Sequence, residues 1–192
     1  PGQRLVELGC GRGHDAVGFA DLGLQVRAID ISTKQLAGRI EHPRVEYFVE
    51  PAERIAVESR SVDLVTSDHG AFDHSPPALL LREVHRILRP GGLLVVCTYS
   101  PLAMACLEAR TGRIGRQLQR PYALDAMRSD GRQVAAEYSY GGWIREFIRC
   151  GFELERLEEM RSTGGKVYFD ELVDASWVES WPLDIAWVVR RK

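Results

Sequence analysis

The chain of 192 residues is 45% hydrophobic and 27% charged, a composition typical of one globular domain with one sizeable core. Its formal net charge of -2 excludes a whole-molecule attraction to nucleic acid or to an anionic membrane surface. No apolar run reaches the roughly 18 residues of a membrane span, and the first residues do not form a signal peptide. The four cysteines form no C-x-x-C pair, which favours reduced thiols and a cytoplasmic location.

Strand and helix patterns alternate over the first hundred residues. Short apolar runs rich in β-branched residues predict five strands, at RLVEL, QVRAID, VEYFV, VDLVTS and LLVVCTY. The chain begins on the first of these without a methionine, so we expect a preceding segment. Ser32 is a suitable N-cap for one helix, and Ser75 with two prolines marks the start of a longer one that Pro90-Gly91-Gly92 ends. The alternation predicts a doubly wound α/β sheet.

The alternation stops between residues 101 and 138, a stretch with many arginines and little strand character. We expect an insertion or cap over the sheet edge there, within a single domain that spans residues 1–192. Helical spacing returns with Trp143 and Phe147. GFELERLEEM and PLDIAWVVRRK then predict two strands with no clear helix between them. Such a pair predicts a final hairpin whose last strand is antiparallel to the rest.

The first strand leads into VELGCGRGHD, a glycine-rich bend of the kind that lets a ligand approach the backbone closely. A dinucleotide fingerprint, G-x-G-x-x-G, needs a glycine at position 14, which is His14. The observed spacing is E-x-G-x-G-x-G, formed by Glu7, Gly9, Gly11 and Gly13. It resembles motif I of the class I S-adenosylmethionine-dependent methyltransferases, in which an acid at the strand end can face a cationic group of the ligand.

The resemblance extends over roughly the first hundred residues. Asp30 ends the second strand, where a carboxylate can accept both ribose hydroxyl protons; the alternative role is that of an acid at the start of the following helix. Ala52 is implied to donate its backbone N–H to the adenine. The carboxylate that the family places just before it is replaced by Pro51, so Glu50 or Glu53 would have to take that role.

The stretch ALLLREVHRILRPGGLLVV is similar to the family's L-x-E-x-x-R-x-L-x-P-G-G-x-L helix and turn, where we expect Arg86 to pair with Asp63. The resemblance implies a Rossmann-like sheet of seven strands in the order 3-2-1-4-5-7-6, with strand 7 antiparallel. It also implies S-adenosyl-L-methionine as cofactor. The residues expected to bind it are Glu7, Gly9, Cys10, Gly11, Gly13, Asp15, Asp30, Ile31, Ala52, Glu53, Ser67, Asp68 and His69.

Methyl transfer to a hydroxyl or an ammonium needs a group that removes a proton, and we expect it near the end of the fourth strand. In the segment SDHGAFDHSP the resemblance favours His74 as that base; the alternative is a histidine that caps or packs against the next helix. Asp68 and Asp73 could hold a divalent ion, but no third ligand is evident from the sequence. We therefore expect no metal.

No motif specifies the acceptor. The chain lacks the [DNS]-P-P-[YFW] signature for planar amino groups, which argues against methylation of nucleobase amines or glutamine amides. Arginines of the 101–138 segment outnumber its acids, yet few aromatic residues accompany them, so a solvated helical face is favoured over a nucleic-acid patch. Trp187 is expected in the core. Candidate walls of an acceptor pocket, several of which could equally be core, are Tyr99, Tyr122, Tyr138, Tyr140 and Trp143.

These observations predict a methyltransferase that acts on an oxygen, nitrogen or carbon atom of a small molecule, without membrane or nucleic-acid partners. The first alternative is a methyltransferase-like protein that binds the cofactor without catalysis, and Pro51 keeps it open. The second is an NAD-dependent dehydrogenase, against which His14 argues. The sequence does not specify an oligomeric state.

Overall fold

The computed structural model describes residues 3–122, 125–129, 134–161 and 172–192. The strands in these ranges are β1 (Arg4–Leu8), β2 (Gln25–Asp30), β3 (Val45–Val49), β4 (Val62–Asp68), β5 (Leu88–Tyr99), β6 (Ala126–Ser129), β7 (Val134–Glu137), β8 (Phe152–Met160) and β9 (Asp184–Arg191). The helices are α1 (His14–Asp21), α2 (Thr33–Ala37), α3 (Ala71–His74), α4 (Pro77–Ile87), α5 (Pro101–Ala105), α6 (Tyr140–Arg149) and α7 (Ala175–Val178).

The main sheet has seven strands in the order β3-β2-β1-β4-β5-β9-β8. Strands β1 to β5 are paired in parallel, whereas β9 is antiparallel to both β5 and β8. When the strands of this sheet are numbered in chain order, β8 is the sixth and β9 the seventh, so the order is 3-2-1-4-5-7-6 and the predicted fold and strand order are confirmed. Parallel strands place their carboxyl ends at one edge of the sheet, which is where ligands bind in open α/β folds.

The largest hydrophobic cluster lies between the sheet and the helices α4 and α6. On α4, Leu80, Leu81 and Val84 repeat at helical spacing and are fully buried. Phe147 of α6 packs 5.5 Å from Trp187, measured between ring centroids, and the predicted core position of Trp187 is confirmed. Among the described residues, no helix combines the length and the apolar character that crossing a membrane demands.

The junction of α4 and β5 differs from the prediction. Helix α4 begins at Pro77, as expected, but it ends at Ile87 and β5 starts directly at Leu88. The Pro90-Gly91-Gly92 turn, predicted to separate helix from strand, lies within β5 as a shift in its pairing with β4. Proline cannot donate to a strand ladder and Gly91 has a φ of 79°, so a local irregularity is where these residues fit.

The expected pair between Arg86 and Asp63 is wrong. Arg86 instead lies 2.7 Å from Glu83 on its own helix and donates to the carbonyl of Ile55. Asp63 pairs with Arg89 at 2.6 Å. The reason is position on the helix, because Arg86 faces the loop before β4, whereas Arg89 follows onto the strand next to Asp63.

The predicted cap region carries more strand than its composition indicates. Within residues 101–138, β6 and β7 form an antiparallel hairpin, so the expectation of little strand character is wrong. Arg120 and Arg128 both pair with Glu137 of β7, at 2.8 and 3.3 Å. Arg128 therefore pairs across the two strands, and Arg120 links the preceding loop to β7. The polar composition of this segment did not indicate the hairpin.

The connection between β8 and β9 is only partly described. Residues 162–171 lie outside the described ranges, and after them α7 forms a single turn, where no clear helix was expected. Trp177 of α7 is buried, and its indole nitrogen donates to the carbonyl of Gly115 at 2.9 Å. This contact ties the connection to the cap.

Candidate functional site

The three glycines of the bend all adopt left-handed backbone angles, but only one of them faces open space. A side chain at Gly9 would meet the backbone nitrogen of Ala71 at 2.7 Å, and one at Gly13 would overlap the hydroxyl of Tyr47. A side chain at Gly11, where φ is 55°, would meet no atom within 4 Å. Gly9 and Gly13 are therefore required by packing, and Gly11 exposes the backbone to the cleft beside the strand ends.

Asp30 holds this bend in place. One of its carboxylate oxygens accepts a hydrogen bond from the amide of Gly11 at 2.8 Å, and the other accepts one from the amide of Ser32 at 2.7 Å. Ser32 in turn caps α2 through its hydroxyl, as predicted. The structure shows one of the two roles predicted for Asp30, support of the start of α2 through Ser32. Each oxygen retains a lone pair for a further donor.

Four carboxyl groups gather at the ends of β1, β2 and β4 and at the start of α1. We call this group the acidic edge; its members are Glu7, Asp15, Asp30 and Asp68. Glu7 is 4% exposed, and its Oε2 has no hydrogen-bond partner. Burial, reinforced by the charges of Asp15, Asp68 and Asp30, raises the pKa of Glu7 to about 8.

The same crowding affects Asp15, whose pKa is raised by burial and by its neighbour Asp68. Burying carboxylates beside one another is unfavourable unless a positive charge compensates them. A ligand that carries a positive charge would relieve the repulsion and would interact favourably with the buried Glu7 through its charge. The residues present therefore suit a cationic ligand at the acidic edge.

The side of the cleft assigned to the adenine is partly apolar. Ile31, directly after β2, is 76% exposed, and Ala52 is half-buried against the main core. Both glutamates proposed to replace the missing carboxylate at position 51 have partners in the structure. Glu50 pairs with Arg27 at 2.5 Å, and Glu53 accepts a hydrogen bond from Ser75 at 2.6 Å. Of the two, Glu53 is the exposed one.

Two further residues of the expected cofactor set have structural side chains. The hydroxyl of Ser67 donates to the carbonyl of Leu8 at 3.0 Å and joins β4 to β1. Cys10 is buried, and burial raises the pKa of its thiol to about 12, so it remains a neutral thiol. Any contact of these two residues with a ligand would come from the backbone.

His69 lies between two carboxylates at the end of β4. Its Nδ1 is 3.3 Å from Asp73, and its Nε2 is 3.1 Å from Asp184 at the start of β9. Burial by itself would lower the pKa of His69, but the hydrogen bonds to Asp184 and Asp73 raise it well above its usual range. The ring also packs 4.4 Å from Tyr99, centroid to centroid. The residue has an unusual φ of 43°, which marks a constrained position.

A cavity of about 510 Å³ adjoins His69 and extends under the cap. We call it the cap cavity. Its walls combine residues from α3, β5, α5, the hairpin and α6. Two histidines and four aromatic residues are among them: His69, His74, Tyr99, Tyr122, Tyr138 and Trp143. Four of the five aromatic residues expected in an acceptor pocket are thus part of it. The fifth, Tyr140, is not among its lining residues and donates its hydroxyl to Glu159 at 3.0 Å.

Three residues of this region were not identified from the sequence. Cys97 lies opposite Asp68 in the pairing of β4 and β5, Asp184 reaches His69 from β9, and Glu137 lies in the cavity wall with its arginine partner. The parallel register of β4 and β5 could have indicated Cys97. Asp184 and Glu137 follow from tertiary contacts that no local pattern encodes.

Comparisons with known proteins find similarity to methyltransferases. The family described as "Methyltransferase domain" matches residues 6–96. The chain is 35% identical over 113 residues to a demethylmenaquinone methyltransferase of Beutenbergia cavernae, a match that covers 58% of this chain and 47% of that protein. It is 34% identical over 128 residues to a ubiquinone biosynthesis O-methyltransferase of Xanthomonas oryzae, covering 62% and 53%. The chain thus spans about half the length of the curated relatives it matches.

Solved structures resemble nearly the whole chain. An S-adenosylmethionine-dependent methyltransferase from Mesorhizobium loti superposes with a TM-score of 0.78 at 27% identity, covering 99% of this chain and 91% of that one. A second protein, from Listeria monocytogenes, superposes with a TM-score of 0.75 at 17% identity, over 99% and 91%, and supports the fold alone.

Proposed function

We propose that this chain transfers a methyl group from S-adenosylmethionine to a small molecule held in the cap cavity, because residues 6–96 match the family described as "Methyltransferase domain" and nearly the whole chain superposes on an S-adenosylmethionine-dependent methyltransferase. One observation carries this proposal. The acidic edge and the cap cavity meet at Asp68 and His69, which are consecutive residues at the end of β4. A donor bound on one side and an acceptor bound on the other would face each other across this strand end.

The acidic edge would hold the cofactor by charge and by shape. Glu7 and Asp68 would face its positive groups, and Asp30 would accept the ribose hydroxyls while keeping Gly11 in place. Ile31 offers an apolar surface to the adenine, with Ala52 and Glu53 nearby on the chain. Gly9, Gly13, Cys10 and Ser67 would support this cradle through the backbone. When bound, S-adenosylmethionine supplies a methyl group that its positively charged sulfur activates.

His74 is the better of two histidines for accepting a proton from the acceptor. Both His69 and His74 line the cap cavity. The carboxylates of Asp73 and Asp184 stabilise the protonated form of His69, so it is a poor base. We assign the base to His74 and expect His74→Gln to lower kcat while leaving the affinity for S-adenosylhomocysteine unchanged.

The cavity walls favour an apolar, aromatic acceptor. Tyr99, Tyr138 and Trp143 present ring surfaces, and aromatic walls exclude water from a reacting centre. The curated relatives are named for demethylmenaquinone and ubiquinone biosynthesis, so demethylated quinols are the first compounds to test as acceptors. We expect no nucleic-acid partner. A cytoplasmic location is in keeping with the four cysteines, each a free thiol.

The first experiment is a calorimetric titration with S-adenosylhomocysteine and, separately, with NAD. We expect S-adenosylhomocysteine to bind and NAD not to bind. Asp30→Ala should weaken S-adenosylhomocysteine at least about tenfold, which corresponds to about 1.4 kcal/mol. The matched control is Asp21→Ala, an exposed aspartate at the end of α1. Binding of NAD alone, or of neither compound, would contradict the proposal.

Catalysis is tested with isotopically labelled S-adenosylmethionine and a panel of small hydroxylated aromatic compounds. Transfer of label to at least one acceptor, reduced in His74→Gln, is the expected result. Tight binding of S-adenosylhomocysteine without transfer to any acceptor would favour a cofactor-binding protein without catalysis. This second function is therefore an outcome of the same assay.

A further inference from the structure

Three residues with different metal-binding atoms converge at the adjoining ends of β4 and β5. Asp68 and Cys97 lie opposite each other in the pairing of these strands, and His69 follows Asp68 directly. Their ligand atoms all lie within 4.8 Å of one another. The Nε2 atom of His69 is 3.9 Å from the sulfur of Cys97.

The orientation of His69 is that of a metal ligand. Histidines that bind metals commonly donate the hydrogen of their other ring nitrogen to a carboxylate, which fixes the ring and its tautomer. Here Nδ1 faces Asp73 at 3.3 Å, which leaves Nε2 directed toward Cys97 and Asp184. The Oδ1 atom of Asp184 is shielded from solvent and lies 3.1 Å from Nε2.

Two of these distances can be compared with the separations between ligands around a zinc ion. Ligand atoms that lie about 2.0–2.3 Å from one zinc ion are separated from each other by roughly 3.3–3.8 Å. The two separations around Nε2, 3.9 and 3.1 Å, are close to that range. Asp68 has an exposed side chain, so a rotation about its own bonds can bring its carboxylate closer. A donor set of imidazole, thiolate and carboxylate is one that Zn²⁺ accepts.

We propose that Asp68, His69 and Cys97 form a binding site for a zinc ion, which would keep an open fourth position beside Asp184. The sequence-based expectation of no metal rested on Asp68 and Asp73 without a third ligand. The fold instead places Asp73 behind His69 and supplies the thiol from β5. The site adjoins the cap cavity through His69. The zinc site shares Asp68 with the acidic edge, so each ligand is titrated in the absence of the other.

The test uses chelator-treated, purified protein titrated with Zn²⁺ alone in competition with a chromophoric chelator. We expect one ion per chain, with an affinity that falls at least about tenfold in Cys97→Ser and in His69→Gln. The matched controls are Cys106→Ser, a buried cysteine of the cap, and His85→Gln, on α4, and both should retain the wild-type affinity. Thermal midpoints in chelator establish that each variant is folded.

Cobalt provides a second measurement that reports the thiolate itself. Co²⁺ should give a near-ultraviolet thiolate-to-cobalt charge-transfer band in the wild-type protein that is absent from Cys97→Ser. Absence of one-to-one zinc binding, or equal affinities in the wild type and Cys97→Ser, would overturn the site and leave His69 as an imidazolium held by Asp73 and Asp184. A titration with S-adenosylhomocysteine in chelator is carried out separately, so that failure of the zinc site and failure of the proposed function are distinguished.

Discussion

The acidic edge and the cap cavity adjoin each other but differ in their charge and in the side chains that line them. The acidic edge consists of carboxyl groups at three strand ends and a helix start, and its charges act against one another. The cap cavity is walled mainly by aromatic and aliphatic side chains. Its charged wall residues have partners: Arg120 pairs with Glu137 at 2.8 Å, Asp73 with His69 at 3.3 Å and Glu108 with Arg110 at 3.4 Å. The first region is electrostatically incomplete, and the second is already balanced.

The difference indicates what each region can select. An incomplete cluster of carboxylates favours a ligand by its charge and its hydroxyl groups, which suits one constant cofactor. A balanced, aromatic cavity selects a ligand by shape and apolar surface, which can change with each acceptor. Changes at the acidic edge should therefore affect cofactor affinity and its pH dependence, and changes in the cap cavity should affect folding or acceptor choice.

The largest expected effect is on stability, at the wall that the cap cavity shares with the core. Trp143 is 2% exposed and packs against Phe72, Phe147 and Trp187. Trp143→Ala should lower the free energy of unfolding by about 3–5 kcal/mol in denaturant titrations. Tyr122→Ala, an exposed position of the same cavity, should cost less than about 0.5 kcal/mol. Equal losses would mean that the cavity wall is not part of the core.

The second effect is the pH dependence of stability that Glu7 confers. Its folded pKa of about 8 exceeds the ordinary value of 4.5, so the folded chain binds more protons than the unfolded chain between these pH values. The contribution of Glu7 to stability is therefore full below pH 4.5 and is lost as the pH rises through 8. Glu7→Gln removes this loss, and its advantage over the wild type should be on the order of 2–4 kcal/mol at pH 9 relative to pH 5.

Denaturant titrations of the ligand-free protein at several pH values measure this difference. Glu53→Gln is the control, because Glu53 is exposed and should leave the pH profile unchanged. Parallel stability profiles for the wild type and Glu7→Gln would show that Glu7 is not strained by burial and would remove the electrostatic contrast between the two regions.

The third effect concerns Gly11, the glycine of the bend at which an added side chain would enter open space. Gly11→Val places a branched side chain in the cleft at a φ of 55°, and it should lower the affinity for S-adenosylhomocysteine by about 100-fold, or roughly 2.7 kcal/mol. Gly23→Val has a comparable positive φ of 97° and open surroundings but lies at the end of α1. It should cost stability through the same backbone strain and leave affinity intact. Unchanged affinity in Gly11→Val would mean that no ligand approaches this backbone.

The smallest effect concerns Ile31, the exposed apolar residue that follows Asp30 of the acidic edge. Ile31→Ala should reduce the affinity for S-adenosylhomocysteine about three- to tenfold, because Ile31 is exposed without a ligand and would be covered by one. Leu22→Ala is a matched control, since Leu22 is 78% exposed at the end of α1. Both variants should keep the wild-type unfolding free energy within about 0.5 kcal/mol. Identical affinities for the two variants would place the adenine elsewhere.

Sequence patterns indicated the residues of the acidic edge better than those of the cap cavity. The reason is that the acidic edge is formed by strand ends and turns, which short stretches of sequence encode. Glu7, Gly11 and Asp30 are encoded by strands and turns whose order along the chain determines their place in the sheet. The strand order itself was predicted from the resemblance, and the antiparallel last strand also from the chain's pattern.

The residues that were missed depend on contacts between distant segments. Asp184 reaches His69 across 115 positions of sequence, and Glu137 is identified only once the hairpin of the cap has formed. Arg86 was assigned to the wrong acid because it lies on α4 and faces the loop before β4, whereas Arg89, three positions later, lies in β5 beside Asp63. Local patterns encode helices, strands and bends, whereas such pairings are decided by packing.

The most direct test of the acidic edge compares S-adenosylhomocysteine with 5′-methylthioadenosine, which lacks the amino-acid part and its positive charge. We expect S-adenosylhomocysteine to bind the wild-type protein at least about tenfold more tightly, a difference of about 1.4 kcal/mol. Glu7→Gln should reduce that ratio and leave the affinity for 5′-methylthioadenosine unchanged. Equal affinities of the two compounds for the wild type would contradict a site in which buried carboxylates bind the cofactor through its charge.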